Sequence, residues 1–413
     1  MGNLKLALFL AYKSIFKGNR WALVLIVLVM SLSFANLLLT PSILQGVTET
    51  INRQQVETLY GNIIVDPTSE EYVLSHVGQM ERSIEQLPGV IGVSAHLDYT
   101  ALVEYDWREK QSPTDKGKSG SWPIVGIDPV DEADVTTIHD HIIQGSYLDA
   151  NDRDAIILGV EIAGGEQSES APFQTLQGVQ VGDTVRLTYP NGVQREYLVK
   201  GIFRAQESRA DRTAFVTREE MASVMGRTVY GDRASQILVT VDTPEVQARV
   251  IENLRALGID GEVRSWNDYG GSMGGIASSF GAVTSLISGI GLVVAGIVMF
   301  IVIYINVIHS RRHIGILRAI GIKRDVIIGS YLAQALFYAV AGIVLGGLAF
   351  GLGIQGYFNQ HPLDLSIGQV SLALGPGTVQ NAVVGLIGSA VLAGLIPVLN
   401  ITRQGIIQAI WGN

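Results

Sequence analysis

The chain contains no cysteine among its 413 residues. This absence excludes disulfides, thiolate nucleophiles, zinc sites built from cysteine, and lipidation on cysteine. Acidic residues are also rare outside residues 46–275. The rest of the chain contains only two acids, Asp325 and Asp364, and ten Lys or Arg. Residues 46–275 hold 36 acidic and 19 basic residues, which is a net charge of −17. A charged, soluble domain is therefore inserted into an apolar frame that carries few charges.

Four segments of this frame are apolar over the ~20 residues that a helix needs to cross a bilayer. They cover residues 21–44, 276–308, 326–353 and 379–399, and none has a charged residue in its middle. The sequence thus predicts an α-helical membrane protein with four transmembrane helices. Its large α+β domain, residues 45–275, lies between the first and second helices.

The basic residues of the frame predict its orientation in the membrane. All ten lie in residues 1–20, in the loop 309–325 or in the tail 400–413. Basic loops stay on the cytoplasmic side, so we expect a multi-pass cell-membrane protein of a prokaryote with both termini in the cytoplasm. The large domain and the loop 354–378 are then extracytoplasmic.

Two features of the spans point to structure beyond the bilayer. Apolar residues that include Phe9, Ile15 and Phe16 alternate with lysines, which predicts an amphipathic helix over residues 1–20. The second span would be roughly 50 Å long as a helix, whereas the bilayer core is about 30 Å thick. We therefore expect helical stalks that join the spans to the domain, and a first span that is retained rather than cleaved as a signal peptide.

The large domain contains two stretches with the same order of strand, helix and strand. Residues 61–103 and 236–265 each show this order, and we interpret them as paired halves of one α+β subdomain. Alternating patterns predict a mostly β region between them, with a hairpin turn at Asn191-Gly192. Its predicted strands are 123–128, 155–158, 183–188 and 197–203, and its predicted flexible loops are 108–120 and 164–171.

No segment carries a convincing catalytic, cofactor or metal site. Gly117-Lys118-Ser119 is similar to the end of a phosphate-binding loop, but Ser112 stands where that motif requires glycine. His139-Asp140-His141 has no evident third ligand, and the acids between 128 and 134 do not match a calcium loop. The acidic domain also argues against nucleic-acid binding. We expect that this chain is not itself an enzyme and binds no cofactor, so any nucleotide hydrolysis would come from another chain.

The loop between the second and third spans carries the strongest resemblance to a known family. It is similar to the signature loop of the FtsX/MacB-like (type VII) ABC permease superfamily, which includes lipoprotein-releasing Lol-type permeases. Segments 331–335, 397–403, 145–148 and 181–187 extend the resemblance over nearly the whole chain. The residues of the loop that carry it are Arg311, Arg312, His313, Ile314, Gly315, Ile316, Leu317, Arg318, Ala319, Ile320 and Gly321.

The resemblance implies a set of partners and a role for the loop. Two copies of an ABC ATPase, carrying ATP and Mg, would pair with two permease chains that are identical or paralogous. Membrane lipid and an extracytoplasmic adaptor or lipoprotein are further implied partners. The loop would couple ATPase motion to the permease through an apolar face of Ile314, Ile316, Leu317 and Ile320. The alternative is a basic loop that only lies on the lipid surface.

Two departures from the family pattern remove negative charge. The family usually has Glu where His313 stands, and often where Gln334 stands in the third span. Both changes put in doubt any salt bridge to the ATPase through these positions. The third span also has small-residue spacings that allow close helix packing, either within the chain or between two chains. The residues concerned are Gly342, Gly346, Gly347 and Gly351.

Two functions follow from the resemblance. The first is export or extraction of an amphiphilic substrate, such as a lipoprotein, lipid, peptide or drug. The alternative is FtsX-type mechanotransmission, in which the subunit controls an extracytoplasmic partner such as a cell-wall hydrolase. The size of the domain favours transport, since the cell-division type usually has a smaller one. A receptor or enzyme unrelated to ABC systems is the third possibility.

Overall fold

The computed structural model describes residues 2–17, 20–68, 72–109, 118–165, 174–269, 271–309, 311–365 and 368–403. The chain forms two compact units. The helical unit comprises Met1–Glu49, Gly275–Leu365 and Gln369–Asn413. The α+β unit comprises Thr50–Gly274 and Ser366–Gly368. Most of each predicted flexible loop, namely residues 110–117 and 166–171, lies outside the described residues.

The helices follow the order expected from the sequence. Those outside the large domain are α1 (Gly2–Lys17), α2 (Arg20–Gln55), α9 (Gly271–His309), α10 (Arg311–Ala319), α11 (Arg324–Leu348), α12 (Gly356–Gln360) and α13 (Pro376–Arg403). Those within it are α3 (Val77–Glu85), α4 (Pro129–Val135), α5 (Val160–Ala163), α6 (Arg218–Tyr230), α7 (Pro244–Ala256) and α8 (Trp266–Tyr269). Helix α2 runs on past residue 44 to Gln55 and is followed by a π-helical segment, Val56–Tyr60.

Four helical stretches of the described chain are long and apolar enough to cross a membrane, which confirms the four predicted spans. They are Leu23–Tyr60, Ala282–Ile305, Arg324–Gln360 and Pro376–Leu399. The third stretch continues past residue 353 through a π-helical segment, Ala349–Gln355, into α12. The predicted outer loop 354–378 therefore begins with helix, because its first residues are still apolar and Phe350 is buried beside them.

The core of the helical unit is built around α11. Ala335 and Ala339 of this helix are completely buried, because small side chains let neighbouring helices approach closely. Helix α1 contributes Ile15 to the same core. Phe9 and Phe16, which the sequence placed on one apolar face with Ile15, remain exposed in the protein alone. This leaves α1 with an uncovered apolar face, as an interfacial helix requires.

The longest strand is β3, with 16 residues, followed by β4 and β8 with 10 residues each. They are β1 (Ile63–Asp66), β2 (Leu74–Ser75), β3 (Val90–Tyr105), β4 (Lys118–Ile127), β5 (Ile142–Gly145), β6 (Ala155–Gly159), β7 (Thr184–Thr188), β8 (Gln194–Phe203), β9 (Ala214–Thr217), β10 (Arg233–Ala234), β11 (Gln236–Val241), β12 (Glu262–Ser265), β13 (Leu363–Leu365) and β14 (Gly368–Val370). The hairpin predicted at Asn191-Gly192 joins β7 to β8.

One half of the α+β unit is a four-stranded antiparallel layer in the order β12-β1-β11-β3. Both predicted strand–helix–strand stretches contribute to it, so the interpretation of paired halves is confirmed. Its core combines Val65 and Val93 of the first stretch with Ile237 and Leu254 of the second. Helices α3 and α7 supply the other apolar side chains, including Ile84.

The other half is a closed six-stranded barrel. Strands β3, β4, β9, β6 and β8 pair in that order, and β7 closes the ring by pairing with both β8 and β3. Trp122, Leu187 and Tyr197 fill its interior and are almost completely buried. The sequence predicted five of the six strands, all except β9, and it did not predict their closure. Residues 118–120, predicted as loop, belong to β4, because they pair with β3 and the Lys118 ammonium lies 2.9 Å from the Asp106 carboxylate.

Strand β3 belongs to both halves. Its residues 90–96 pair with β11 in the layer, and residues 97–105 pair with β4 in the barrel. The two apolar cores therefore lie on one uninterrupted stretch of backbone.

Candidate functional site

The loop singled out by the sequence forms a short helix, α10, between α9 and α11. It is followed by a tight turn at Gly321, whose φ of +92° is accessible to glycine at little cost. The Gly321 amide donates to the Arg318 carbonyl, and the Ile322 amide donates to the Leu317 carbonyl, both at 3.1 Å. These bonds satisfy carbonyls that the end of a helix would otherwise leave without donors.

The apolar residues of α10 and its turn divide into two faces. Ile314 is 2% exposed and belongs to the core of the helical unit, and Leu317 packs against that core. Ile316 and Ile320 are 46% and 70% exposed, respectively. Two of the four residues of the predicted docking face therefore pack inside their own chain, and docking of the loop on a partner stays a prediction. Ile314 and Leu317 anchor the helix to its own chain, and Ile316 and Ile320, four residues apart, form the outer face.

The outer face lies in a basic stretch. Arg312, Lys323 and Arg324 are exposed, and Arg318 is partly exposed. Asp325 is the single acid in residues 309–325. The side chains of Arg311 and His313 lie outside the described residues, so the role of the His313 departure stays a prediction. An apolar pair surrounded by cations can bind an apolar groove with an acidic rim.

The second departure, Gln334, lies in the interior of the helical unit. Its side chain is 3% exposed, and its Oε1 accepts a hydrogen bond from the Ser14 hydroxyl at 3.3 Å. This bond links α11 to α1. A neutral amide suits the position, because a buried carboxylate there would need a compensating charge.

The four glycines proposed for helix packing differ in their surroundings. A Cβ on Gly342 would lie 2.5 Å from the Met30 Cβ, and one on Gly346 would lie 2.5 Å from the Ser31 carbonyl oxygen. These two glycines let α11 contact α2 directly. A Cβ on Gly347 would make ordinary contact with Phe34 at 3.7 Å. Around Gly351, no atom of the described chain lies within 4 Å of such a Cβ.

Sequence reasoning missed a buried ionic network in the α+β unit. The His96 imidazole Nε2 lies 2.6 Å from Glu132 Oε2, and both side chains are almost completely buried. Hydroxyls of Ser94 and Thr136 also donate to the Glu132 carboxylate, at 2.6 and 2.7 Å. The sequence showed Glu132 only as one of several acids on a short helix. Nothing in its pattern revealed a partner 36 residues earlier in the chain.

The charges of this network support each other. Burial alone would lower the pKa of His96, but the adjacent Glu132 carboxylate outweighs burial, and the net pKa is raised. Burial alone would raise the pKa of Glu132, but the His96 charge and the three hydrogen bonds outweigh it, and the net pKa is lowered. The pair is therefore an ion pair that holds α4 on β3.

The sites that the sequence rejected show no catalytic geometry. Lys118 and Ser119 lie in a β-strand, and the Asp128 carboxylate caps α4 by accepting from the Val130 amide at 3.1 Å. Within the described ranges, no group of three His, Asp or Glu residues could hold a metal ion.

Family models match both units of the chain. The FtsX-like permease C-terminal model matches residues 285–406. The MacB-like periplasmic core domain model matches residues 23–257, which is more than half of the chain. The chain belongs to the FtsX/MacB-like family of ABC transporter permeases. The resemblance carried by the loop 311–324 is thereby confirmed.

Curated relatives of this permease share a limited segment with it. The probable export ATP-binding/permease protein MacB of Pseudomonas entomophila is 30% identical over 123 residues. The macrolide export ATP-binding/permease protein MacB of Burkholderia lata is 29% identical over 127 residues. The matches cover 29% and 30% of this chain, and each spans 18% of the relative's length.

Two solved structures resemble the permease. The periplasmic region of MacB from Actinobacillus actinomycetemcomitans aligns with 55% of this chain and 97% of its own, at 12% identity and a TM-score of 0.36. The extracellular domain of the noncanonic ABC-type transporter YknZ from Gram-positive bacteria aligns with 49% and 97%, at 13% identity and a TM-score of 0.34.

Proposed function

We propose that this permease transmits the motion of a partner ABC ATPase to its α+β unit and thereby exports or extracts an amphiphilic substrate. The substrate class comprises lipoproteins, lipids, peptides and drugs. Two ATPase chains, which bind ATP and Mg, and a second permease chain would complete the complex. The termini and α10 would face the cytoplasm, and the α+β unit would be extracytoplasmic.

The observation that carries the proposal is the division of α10 into an anchored and an exposed face. Ile314 lies in one core cluster with Val307 of α9 and Ile327 of α11. A force on the outer face would therefore reach both membrane helices directly, because packed cores transmit strain. Ile316 and Ile320 supply the apolar contact for an ATPase groove, and the surrounding cations steer its approach.

Two further features support transport of an amphiphile. A polar conduction path through the membrane would require charged residues inside the spans. None of the four predicted spans has a charged residue in its middle. Helix α2 also runs without interruption from Arg20 to Gln55, beyond the end of the predicted span at residue 44.

The test uses the double variant Ile316→Asp/Ile320→Asp in the full chain, purified from native membranes. We expect the amount of copurifying ATPase to fall at least about tenfold, because a carboxylate in a desolvated apolar contact removes most of its binding energy. Quantitative mass spectrometry and ATP hydrolysis in the eluate measure the outcome. Leu317→Asp is less informative, because Leu317 packs against the core of its own chain.

Val130→Asp is the matched control, since Val130 is a 64% exposed apolar residue on a helix of the α+β unit. It should leave ATPase recovery unchanged. Equal recovery of the ATPase with the double variant and the wild type would show that α10 is not the coupling element. Absence of any ATPase from the wild-type eluate would contradict the whole proposal.

A further inference from the structure

The α+β unit contains a cavity of about 270 Å³ on one face of its sheet. Strands β3 and β4 form its floor, and the π-helical segment at the end of α2 forms one wall through Thr58, Leu59 and Tyr60. Thr100 and Arg209, at the rim, are exposed, whereas the Gln236 side chain is 8% exposed. The cavity therefore opens to solvent beside Thr100 and Arg209 and reaches the buried Gln236 side chain.

Polar side chains of β3 line this cavity at every second position. His96, Asp98 and Thr100 contribute to the lining, and alternate residues of a strand point to the same face. Ser94 precedes them in the same row, and its hydroxyl donates to Glu132. Since apolar residues usually cover such a sheet face, a row of four polar residues is unusual there.

Asp98 is the member of this row whose bonding is incomplete. Its Oδ2 accepts from the Gln236 side-chain amide at 3.0 Å. Its Oδ1 is buried, and nothing in the described part of the chain donates a hydrogen bond to it. Burial raises the pKa of this carboxyl group. A buried acceptor without a donor is unfavourable, so binding of a ligand that supplies a donor is favoured.

The charges around the cavity favour a cationic donor. His96 and Glu132 neutralise each other, and Asp98 is the acidic residue of the lining whose side-chain partner in the structure is a neutral amide, that of Gln236. Arg209 lies at the exposed rim, where its guanidinium donates to the Tyr60 hydroxyl and lies 5.6 Å from the centre of the Tyr60 ring. Aromatic side chains beside a carboxylate provide the surroundings in which proteins bind organic ammonium groups.

The volume restricts the size of the ligand. About 270 Å³ corresponds to roughly nine water volumes. This suits a compact molecule of roughly ten non-hydrogen atoms and excludes a lipoprotein or a macrolide. The ligand is therefore distinct from the amphiphilic substrate of the proposed transport function.

We propose that this cavity binds a small protonated amine, with the ammonium group on Asp98 and the apolar part against Val125 and Phe215. The bound amine would contact both the floor strands and the segment Val56–Tyr60. It would thereby hold the end of α2 against the sheet. The inference stands on the cavity alone and does not depend on the proposed ATPase partner.

The experiment measures binding of phenethylamine to the full chain in nanodiscs by isothermal titration calorimetry. 2-Phenylethanol is the neutral probe of matched shape. We expect phenethylamine to bind at least about tenfold more tightly than the alcohol, and Asp98→Asn to abolish that preference. Thr100→Trp, a change at the exposed rim that should leave folding intact, should block both probes.

Asp66→Asn is the control variant. Asp66 also has a buried carboxylate oxygen without a donor among the described residues, but it does not line the cavity. Its variant should bind phenethylamine as the wild type does. Equal affinity for the amine and the alcohol, or unchanged amine binding by Asp98→Asn, would overturn the proposal. Unchanged binding by Thr100→Trp would do the same, since Asp98 also lines a neighbouring hollow that Thr100 does not reach.

Discussion

Replacing Gly342 with leucine should unfold much of the helical unit at temperatures where the wild-type chain is intact. The first carbon of the new side chain would lie 2.5 Å from the Met30 Cβ and 3.0 Å from its carbonyl carbon. The Met30 carbonyl carbon belongs to the backbone of α2, and the Met30 Cβ is bonded directly to that backbone. Neither atom can therefore move without a shift of α2. Overpacking of this kind typically destabilises a protein by about 1–3 kcal/mol. We expect a value at the upper end of this range, because an entire leucine side chain would be placed against backbone atoms.

Gly351→Leu is the matched control, since it adds the same side chain to the same stretch of helix. A Cβ at Gly351 has no neighbour within 4 Å among the described residues. We expect its melting temperature, measured in detergent by loss of the monodisperse gel-filtration peak, to remain within a few degrees of wild type. If both variants melted together, the direct contact of α11 with α2 would be contradicted.

Replacing Glu132 with alanine should destabilise the α+β unit by about 3–5 kcal/mol, because it leaves the buried His96 without its counter-charge. The change also removes the acceptor of the Ser94 and Thr136 hydroxyls. Hydrogen exchange of the full chain should show faster exchange in β3 and α4. Asp134→Ala, on the exposed side of the same helix, removes the same charge and should have little effect.

The double variant His96→Leu/Glu132→Leu separates the loss of one partner from the value of the pair. Removing both charges leaves no unpaired buried ion, so stability should recover to within about 1–2 kcal/mol of wild type. If the stability of the double variant did not recover, the hydrogen bonds from the Ser94 and Thr136 hydroxyls, and not the ion pair, would make the larger contribution to stability.

The His96–Glu132 pair should also make the stability of the α+β unit depend on pH. The raised pKa of His96 contributes stability that is complete below its ordinary value of 6.5 and is lost as pH rises through the raised value. The lowered pKa of Glu132 contributes stability that is present above its ordinary value of 4.5 and is lost as pH falls through the lowered value. The stability difference between wild type and the double variant should therefore be largest between about pH 4.5 and 6.5 and should decrease as the pH rises through the raised pKa of His96.

The sequence was most informative where one physical signal dominates. Long apolar segments located the four spans, and alternation located most strands of the large domain, because burial in lipid or on a sheet imposes these patterns directly. The third helical stretch extends beyond the predicted span 326–353, because it continues through Ala349–Gln355 to Gln360. Its apolarity fades there gradually, and a hydropathy pattern has no sharp end at that point.

The candidate site shows where such reasoning stops. Ile314, Ile316, Leu317 and Ile320 cover a broad arc of one helix, and periodicity does not reveal which part its own chain covers. The structure assigns Ile314 and Leu317 to the core and leaves Ile316 and Ile320 outside. Similarly, the partnership of His96 and Glu132 depends on the packing of α4 on β3, which no local pattern encodes.

Strand β3 determines how the α+β unit should unfold. Its first residues complete the four-stranded layer, and its later residues complete the barrel. Neither core can lose this strand without opening the other, so the two halves should unfold in one cooperative transition rather than as separate subdomains. A proteolytic cut or an aggregation-prone intermediate confined to one half is correspondingly disfavoured. The α+β unit should therefore lose or keep both of its cores together.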